Sequence, residues 1–419
     1  MRWWVVASLA LIGGTACARK VPSDRGTPSP DLAPTELSLG DAAASPRPRT
    51  TSPDIAFGNL DAQIRGRQAI VDRDPNDVAD ARQLVDLLLL RAQFRGAIAD
   101  YELADATALS LVGAHPEAGD AHRERAATLG AFHLFRQALD ELDAAERSHA
   151  DHAAVLRARA TILIAQGRYD EADALGALRA GSDGLDPGEL ATTAVLAGER
   201  GHGAESQRLF EQARMSYRDV SPFTFAWIDF QQASLLERRG DRAGAKRYFS
   251  EAHEMLPAFA HACVHLAALE TPDRARSLLE PLLGHSDDPE VDAAYGDTLR
   301  RLGRSDEAKA FIDRARTRYD ELVVKHPEAF ADHAAFFYLG DGADAAKALA
   351  LAKINAANRA TEPALQLLIV SALAAGSNDD ACSAVARATS LRYATSALRF
   401  TVDALHDRCT PRRAMSCAR

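Results

Sequence analysis

The feature that most constrains this chain is an arrangement of small and apolar residues that returns every 34 positions, in segments starting at 119, 153 and 187. It is clearest in 226–259, AWIDFQQASLLERRGDRAGAKRYFSEAHEMLPAF. Two amphipathic stretches with helical spacing flank a turn at Arg239, Gly240 and Asp241, which predicts a helix-turn-helix unit. Ala233 and Leu236 precede the turn, and Ala245, Phe249 and Ala252 follow it. The alanines let two crossing backbones approach closely and Phe249 fills the space above them. Gly240 supplies a turn that a residue with a Cβ would strain. Pro257 ends the second helix, because its ring clashes with the preceding turn and it has no N–H to donate.

The same spacing organises most of the chain. In 78–111, Val85 and Leu88 precede a turn expected near Ala92, and Ala97, Tyr101 and Ala104 follow it. Segment 119–152 keeps Ala126, Leu129, Ala138, Leu142 and Ala145, with His133 where the turn glycine would stand. Segment 153–186 keeps Ala160, Leu163, Gly167 and Ala172, and 187–220 keeps Ala194, Gly201, Ser206, Phe210 and Ala213. After the central unit, 260–288 reads as a shortened copy turning at Pro272, and 289–322 restores Gly296, Leu299, Gly303, Ala308, Ile312 and Ala315. Two more units turn at Gly340 and Gly376, and 393–406 reads as a final amphipathic helix capping the array.

This combination of turn glycine, paired alanines, aromatic and closing proline resembles the tetratricopeptide repeat. The resemblance implies an all-α, right-handed superhelical solenoid of about nine units over 59–407, whose first helices line a concave groove that grips peptides or partner proteins. Helix residues not turned toward their own second helix give the candidate groove set: Arg123, Arg157, Trp227, Phe230, Glu237, Arg238, Arg300, Arg301, Phe337 and Tyr338. Aromatics and arginines are the types enriched where partners bind. The five residues 221–225, SPFTF, interrupt the 34-residue period and are expected to bulge onto the surface just ahead of Trp227. An aromatic at helical spacing also fits an ordinary core position, so the groove and core readings of Trp227 and Phe230 both stand at this point.

The ends differ from the body. Residues 1–17, MRWWVVASLALIGGTAC, place Arg2 before an apolar run and end in small residues, the form of a secretory signal peptide. The run is too short to span a bilayer as a helix. Cys17 after Gly14, Thr15 and Ala16 resembles the lipidation site of bacterial lipoproteins, which implies a palmitate-type anchor facing the periplasm of a Gram-negative cell. Gly14 stands where that family carries a larger aliphatic residue, and simple cleavage after Ala16 would instead leave a secreted or soluble periplasmic chain. Ala18 in place of an acidic residue points, by the same resemblance, to the outer membrane. Residues 18–58, with Pro22, Pro28, Pro30, Pro34, Pro46, Pro48 and Pro53 among Ser, Thr and Asp, read as a disordered tether with a reach on the order of 35 Å. A tail from 408 carries Cys409 and Cys417, a candidate disulfide in an oxidising compartment, whereas Cys263 and Cys382 read as core residues.

A catalytic function finds no support in the sequence. His253 and Glu254 lack the second histidine of a zinc-protease helix, and 198–203, GERGHG, follows a helix and lacks the lysine of a phosphate loop. No Cys/His group has zinc spacing and no nucleophile elbow is present, so neither metal nor cofactor is expected. The net charge of −10 argues against nucleic acid as a partner, since phosphate binding needs a basic face. The reading is therefore a non-enzymatic protein-binding scaffold, lipid-anchored in the envelope and serving assembly, secretion or polymer export. The alternative is an accessory subunit of an envelope enzyme, or an enzyme whose site the sequence does not reveal.

Overall fold

Asp241 opens the second helix of the central unit by accepting from the Gly244 N–H at 2.8 Å, which satisfies one of the donors every helix start leaves unpaired. The first helix ends at Gly240, whose φ of 81° lies in the left-handed region that glycine reaches at no steric cost. Between them Ala233, Ala245, Phe249 and Ala252 are wholly buried, so the two helices touch where the small residues permit. Burying Phe249 alone is worth about 1.5–3 kcal/mol.

A computed structural model describes residues 48–74, 77–176 and 186–409. Among these residues the fold is all-α, with no strand. A lone helix α1 (Pro53–Val71) is followed by nine pairs: α2 (Val78–Arg95) with α3 (Ile98–Ala114), α4 (Gly119–Ala131) with α5 (Phe135–Arg147), α6 (His152–Ala165) with α7 (Tyr169–Ala174), and α8 (Pro187–Glu199) with α9 (Gly203–Ser216). The central pair is α10 (Pro222–Arg238) and α11 (Arg242–Met255). Then come α12 (Ala260–Leu269) with α13 (Pro272–Leu279), α14 (Pro289–Arg301) with α15 (Ser305–Lys325), α16 (Pro327–Leu339) with α17 (Ala345–Asn358), and α18 (Glu362–Ala374) with α19 (Asn378–Thr389). Helix α20 (Ser396–Cys409) covers the last pair with Leu398, Val402 and Leu405, as the end of a stacked array requires. The nine expected units are present as these nine pairs, and the fold is a tetratricopeptide-like solenoid.

The solenoid coils until it touches itself. The turn after α2 meets the loop before α14: the Gly96 carbonyl accepts from the Asp287 N–H at 3.2 Å and from Ser286 Oγ at 2.8 Å, while Asp287 Oδ2 accepts from the Ala99 N–H at 3.0 Å. One pair further along, the Phe132 and His326 rings stack at 4.2 Å and Asn358 Nδ2 donates to the His133 carbonyl at 2.9 Å. The next turn follows suit, with the Ala360 N–H donating to the Gln166 carbonyl at 3.2 Å and Arg392 paired to Asp170 at 2.8 Å. Phe57 of α1 and Phe94 of α2 pack on Phe223 of α10, with ring centroids 5.2 and 5.1 Å apart. Successive turns of the coil are thus in direct contact.

The structure corrects several expectations. Helix α1 begins at Pro53, inside the expected tether, because proline at the first helical position gives up only an N–H that would be unpaired anyway. Its Phe57, Leu60 and Ile64 are buried. The first turn lies at Gly96 rather than near Ala92, since α2 runs four residues longer. Residues 222–225 do not bulge: they extend α10 by a helical turn, and Phe223 and Phe225 are buried. The disulfide joins Cys382 to Cys409, not Cys409 to Cys417, because α20 folds back onto α19 and brings the two Cα atoms to 5.1 Å. Cys417 lies outside the described residues, as do the leader, Cys17 and the tether through residue 47.

Candidate functional site

The first helices of the early pairs face inward and enclose a groove of about 1260 Å³. Its floor is apolar, with Leu87 and Leu90 from α2, Ile162 from α6 and Phe223 from α10. Charged side chains stand along its walls at helical spacing, one set per pair: Arg82 and Asp86 on α2, Asp120, Arg123 and Glu124 on α4, Arg157 on α6, Glu189 on α8. They are braced against one another. Arg123 Nη2 lies 3.0 Å from Glu124 Oε1, Arg157 Nε lies 2.7 Å from Glu189 Oε1, and Arg82 pairs with Asp120 and Glu124. Glu189 also completes a capping box with Asp186, which fixes the start of α8.

Carboxylates outnumber arginines in the lining, eight to five. Burial, and then the adjacent Glu124 carboxylate with which it shares a hydrogen bond, push the Asp86 carboxyl well above the usual carboxylate range. With Asp86 set aside, seven carboxylates still face five arginines, so the groove offers a negatively charged, partly apolar trough whose acceptors are held in place before anything binds.

Two of the residues singled out in the sequence, Arg123 and Arg157, line this groove. The others stand elsewhere. Trp227 and Phe230 are 7% and 6% exposed, and Phe230 packs on Phe249 and Phe259 at 5.7 and 4.9 Å, which corrects the expectation of exposed aromatic anchors. Helix α10 is buried on nearly every side because α8, α9 and α11 pack along it and Phe57 and Phe94 cover Phe223 at its start. Phe337 and Tyr338 are likewise core, Phe337 lying 5.1 Å from Tyr319. Glu237 is buried against His265 at 2.8 Å, and Arg238 pairs with Glu199 at 2.6 Å. Arg300 bridges Asp297 and Asp341 on the surface, and Arg301 Nη2 donates to the Glu270 carbonyl at 2.7 Å.

A second cluster was not legible in the sequence because His261 comes from one pair, Asp288 and Glu290 from the next, and the neighbouring His333 from a third. At the starts of α12 and α14, His261, Asp288 and Glu290 bring one ligand-capable atom each within 4.8 Å of the others. His261 Nε2 lies 3.5 Å from Asp288 Oδ2, and His333 Nδ1 lies 3.6 Å from Glu290 Oε1. Burial pushes the His261 imidazole down to about 4 and, with Glu290 beside it, the Asp288 carboxyl up to about 7. For Glu290 burial is outweighed by His333, which holds it at about 2, and His333 itself rises to about 10 because Asp332 and Glu290 outweigh its burial. His133 holds the left-handed turn conformation without being glycine, at φ 56°. Contacts from the next turn of the coil, including Nδ1 at 3.1 Å from the Glu328 carbonyl, fix it there. Burial, and then Arg359, depress its pKa to about 3.

No protein-family model matches the chain, and no curated protein matches it. Solved structures with a similar fold include the human IFIT1 dimer with PPP-AAAA, at 16% identity over 80% of this chain and 79% of that one, with a TM-score of 0.44. A tetratricopeptide repeat protein from Parabacteroides merdae shares 14% identity over 63% of this chain and 89% of its own, with a TM-score of 0.31. Yeast Tom70 shares 11% over 85% and 93%, with a TM-score of 0.36.

Proposed function

We propose that this chain is a non-enzymatic scaffold that holds an extended, basic peptide segment of a protein partner in its inner groove. The observation that carries the reading is the groove itself: an apolar floor flanked by braced charged residues with carboxylates in excess, running across the first helices of consecutive pairs. Extended chain presents side chains to both walls, and its cationic groups would meet carboxylates already oriented by Arg82, Arg123 and Arg157. A photo-crosslinking residue placed at Gln83 or Thr161 in the groove should capture the partner, whereas one at Arg208 on the outer helix α9 should not. Capture from Arg208 alone would overturn the assignment.

The chain is further proposed to act at the cell envelope, held by a lipid on Cys17 and facing the periplasm, in assembly, secretion or polymer export. The support is the sequence of 1–17 and the proline-rich stretch after it, which would let the solenoid work at a distance from the bilayer. Metabolic palmitate labelling should mark the wild type and not Cys17→Ala; equal labelling of both, or of neither, removes the anchor from the proposal.

A further inference from the structure

We propose that His261, Asp288 and Glu290 form a binding site for a divalent transition-metal cation of the zinc class, clamping the α12 pair to the α14 pair. The three residues lie on the starts of two neighbouring inner helices, and one donor atom of each lies within 4.8 Å of the rest. Each side chain already has its other atom occupied or leaves a buried one open. Asp288 Oδ1 caps α14 by accepting from the Glu290 N–H at 2.9 Å, which leaves Oδ2 turned to His261 Nε2 at 3.5 Å. Two ligands about 2.1 Å from an ion at the tetrahedral angle stand about 3.4 Å apart, so this pair already has the spacing of a zinc site.

An independent observation concerns unpaired polar atoms. Among the described residues, His261 Nε2 and Glu290 Oε2 are buried and make no hydrogen bond. Leaving such atoms without a hydrogen bond costs free energy that a cation would recover. One helical turn beyond His261, on the same face of α12, His265 is also buried with Nε2 unpaired, while its Nδ1 is held by Glu237 Oε2 at 2.8 Å. A carboxylate on one ring nitrogen is the arrangement that orients histidine toward a metal on the other. One nitrogen and two carboxylate oxygens suit a borderline divalent ion better than calcium or magnesium, which take oxygen alone.

The position gives the ion a structural consequence. Ser286 and Asp287, immediately before the site, dock on the turn at Gly96 in the neighbouring turn of the coil. An ion at Asp288 and Glu290 would therefore fix the loop on which closure depends.

The test is isothermal titration of the chelator-treated full chain with zinc chloride, alongside cobalt chloride absorbance to report coordination geometry. Wild type should bind one ion and melt several degrees higher with it. Glu290→Gln, which keeps the shape of the side chain, and His261→Ala should each bind at least about tenfold more weakly, lose the visible cobalt bands and gain no thermal stability from zinc. Circular dichroism of both variants without metal should match the wild type, and if His261→Ala is misfolded the Glu290→Gln result decides. No saturable binding by wild type, or unchanged binding by Glu290→Gln, overturns the site.

Discussion

Replacing Gly96 with alanine tests whether the coil closes on itself. Gly96 has a φ of 59°, so any Cβ there costs roughly 1–2 kcal/mol of backbone strain. That Cβ would also stand 2.7 Å from Ser286 Oγ, 3.2 Å from the Asp288 Cβ and 3.3 Å from the Ala260 Cβ, all belonging to the opposing turn of the solenoid. Such overpacking adds about 1–3 kcal/mol. Gly240 is the internal control, since its φ is 81° but nothing lies within 4 Å of a Cβ built on it, so Gly240→Ala should cost the strain alone. The expected losses are therefore about 2–5 kcal/mol for Gly96→Ala and about 1–2 kcal/mol for Gly240→Ala. Urea unfolding followed by circular dichroism gives the comparison. Hydrogen exchange at the Ile98 and Ala99 amides, which Asp287 covers, should accelerate in Gly96→Ala only. If the two variants lose the same stability and exchange at Ile98 and Ala99 is unchanged, the contact between turns does not exist in solution.

Other consequences are as direct. Ala245→Leu, at a wholly buried crossing of α10 and α11, should cost about 1–3 kcal/mol in thermal or urea melts, whereas the neighbouring Arg242→Ala should stay within about 0.5 kcal/mol. Cys382→Ser removes a cross-link spanning 27 residues and should cost about 3–4 kcal/mol if chain entropy governs; no difference between oxidised and reduced wild type would argue against the bond. Asp86→Asn should raise the melting temperature by a few degrees at pH 7. The folded protein holds the Asp86 proton more tightly than the unfolded chain, so this group's contribution is complete below the ordinary aspartate range and is lost as pH rises through the elevated folded value. The gain from Asp86→Asn should accordingly vanish near pH 4, and a gain independent of pH would refute the assignment.

The repeating unit is legible in the residues alone. Small residues at Ala233, Ala245 and Ala252, an aromatic at Phe249 and glycine at Gly240 are local requirements of two helices crossing closely, and they recur often enough to number the pairs and place most of their turns. Arg123 and Arg157 were legible as groove residues for the same reason, since position within a pair decides which side a residue faces. Which distant pairs meet is settled only in the folded array. That depends on a small rotation per pair accumulated over the array, which no spacing within one pair encodes. The contacts that close the coil join residues as many as 225 positions apart, as in Ile98 with Asp287 and His133 with Asn358. Because of that closure the inserted Phe223 is covered by Phe57 and Phe94, and His133 keeps a backbone conformation that glycine holds at Gly96, Gly167, Gly201, Gly240, Gly303 and Gly376, whereas Phe230 is core through its neighbours Phe249 and Phe259. The convergence of His261 with Asp288 and Glu290, like the choice of Cys382 as partner of Cys409, arises from stacking of successive helices: each brings together side chains that are neighbours only once the pairs are in place.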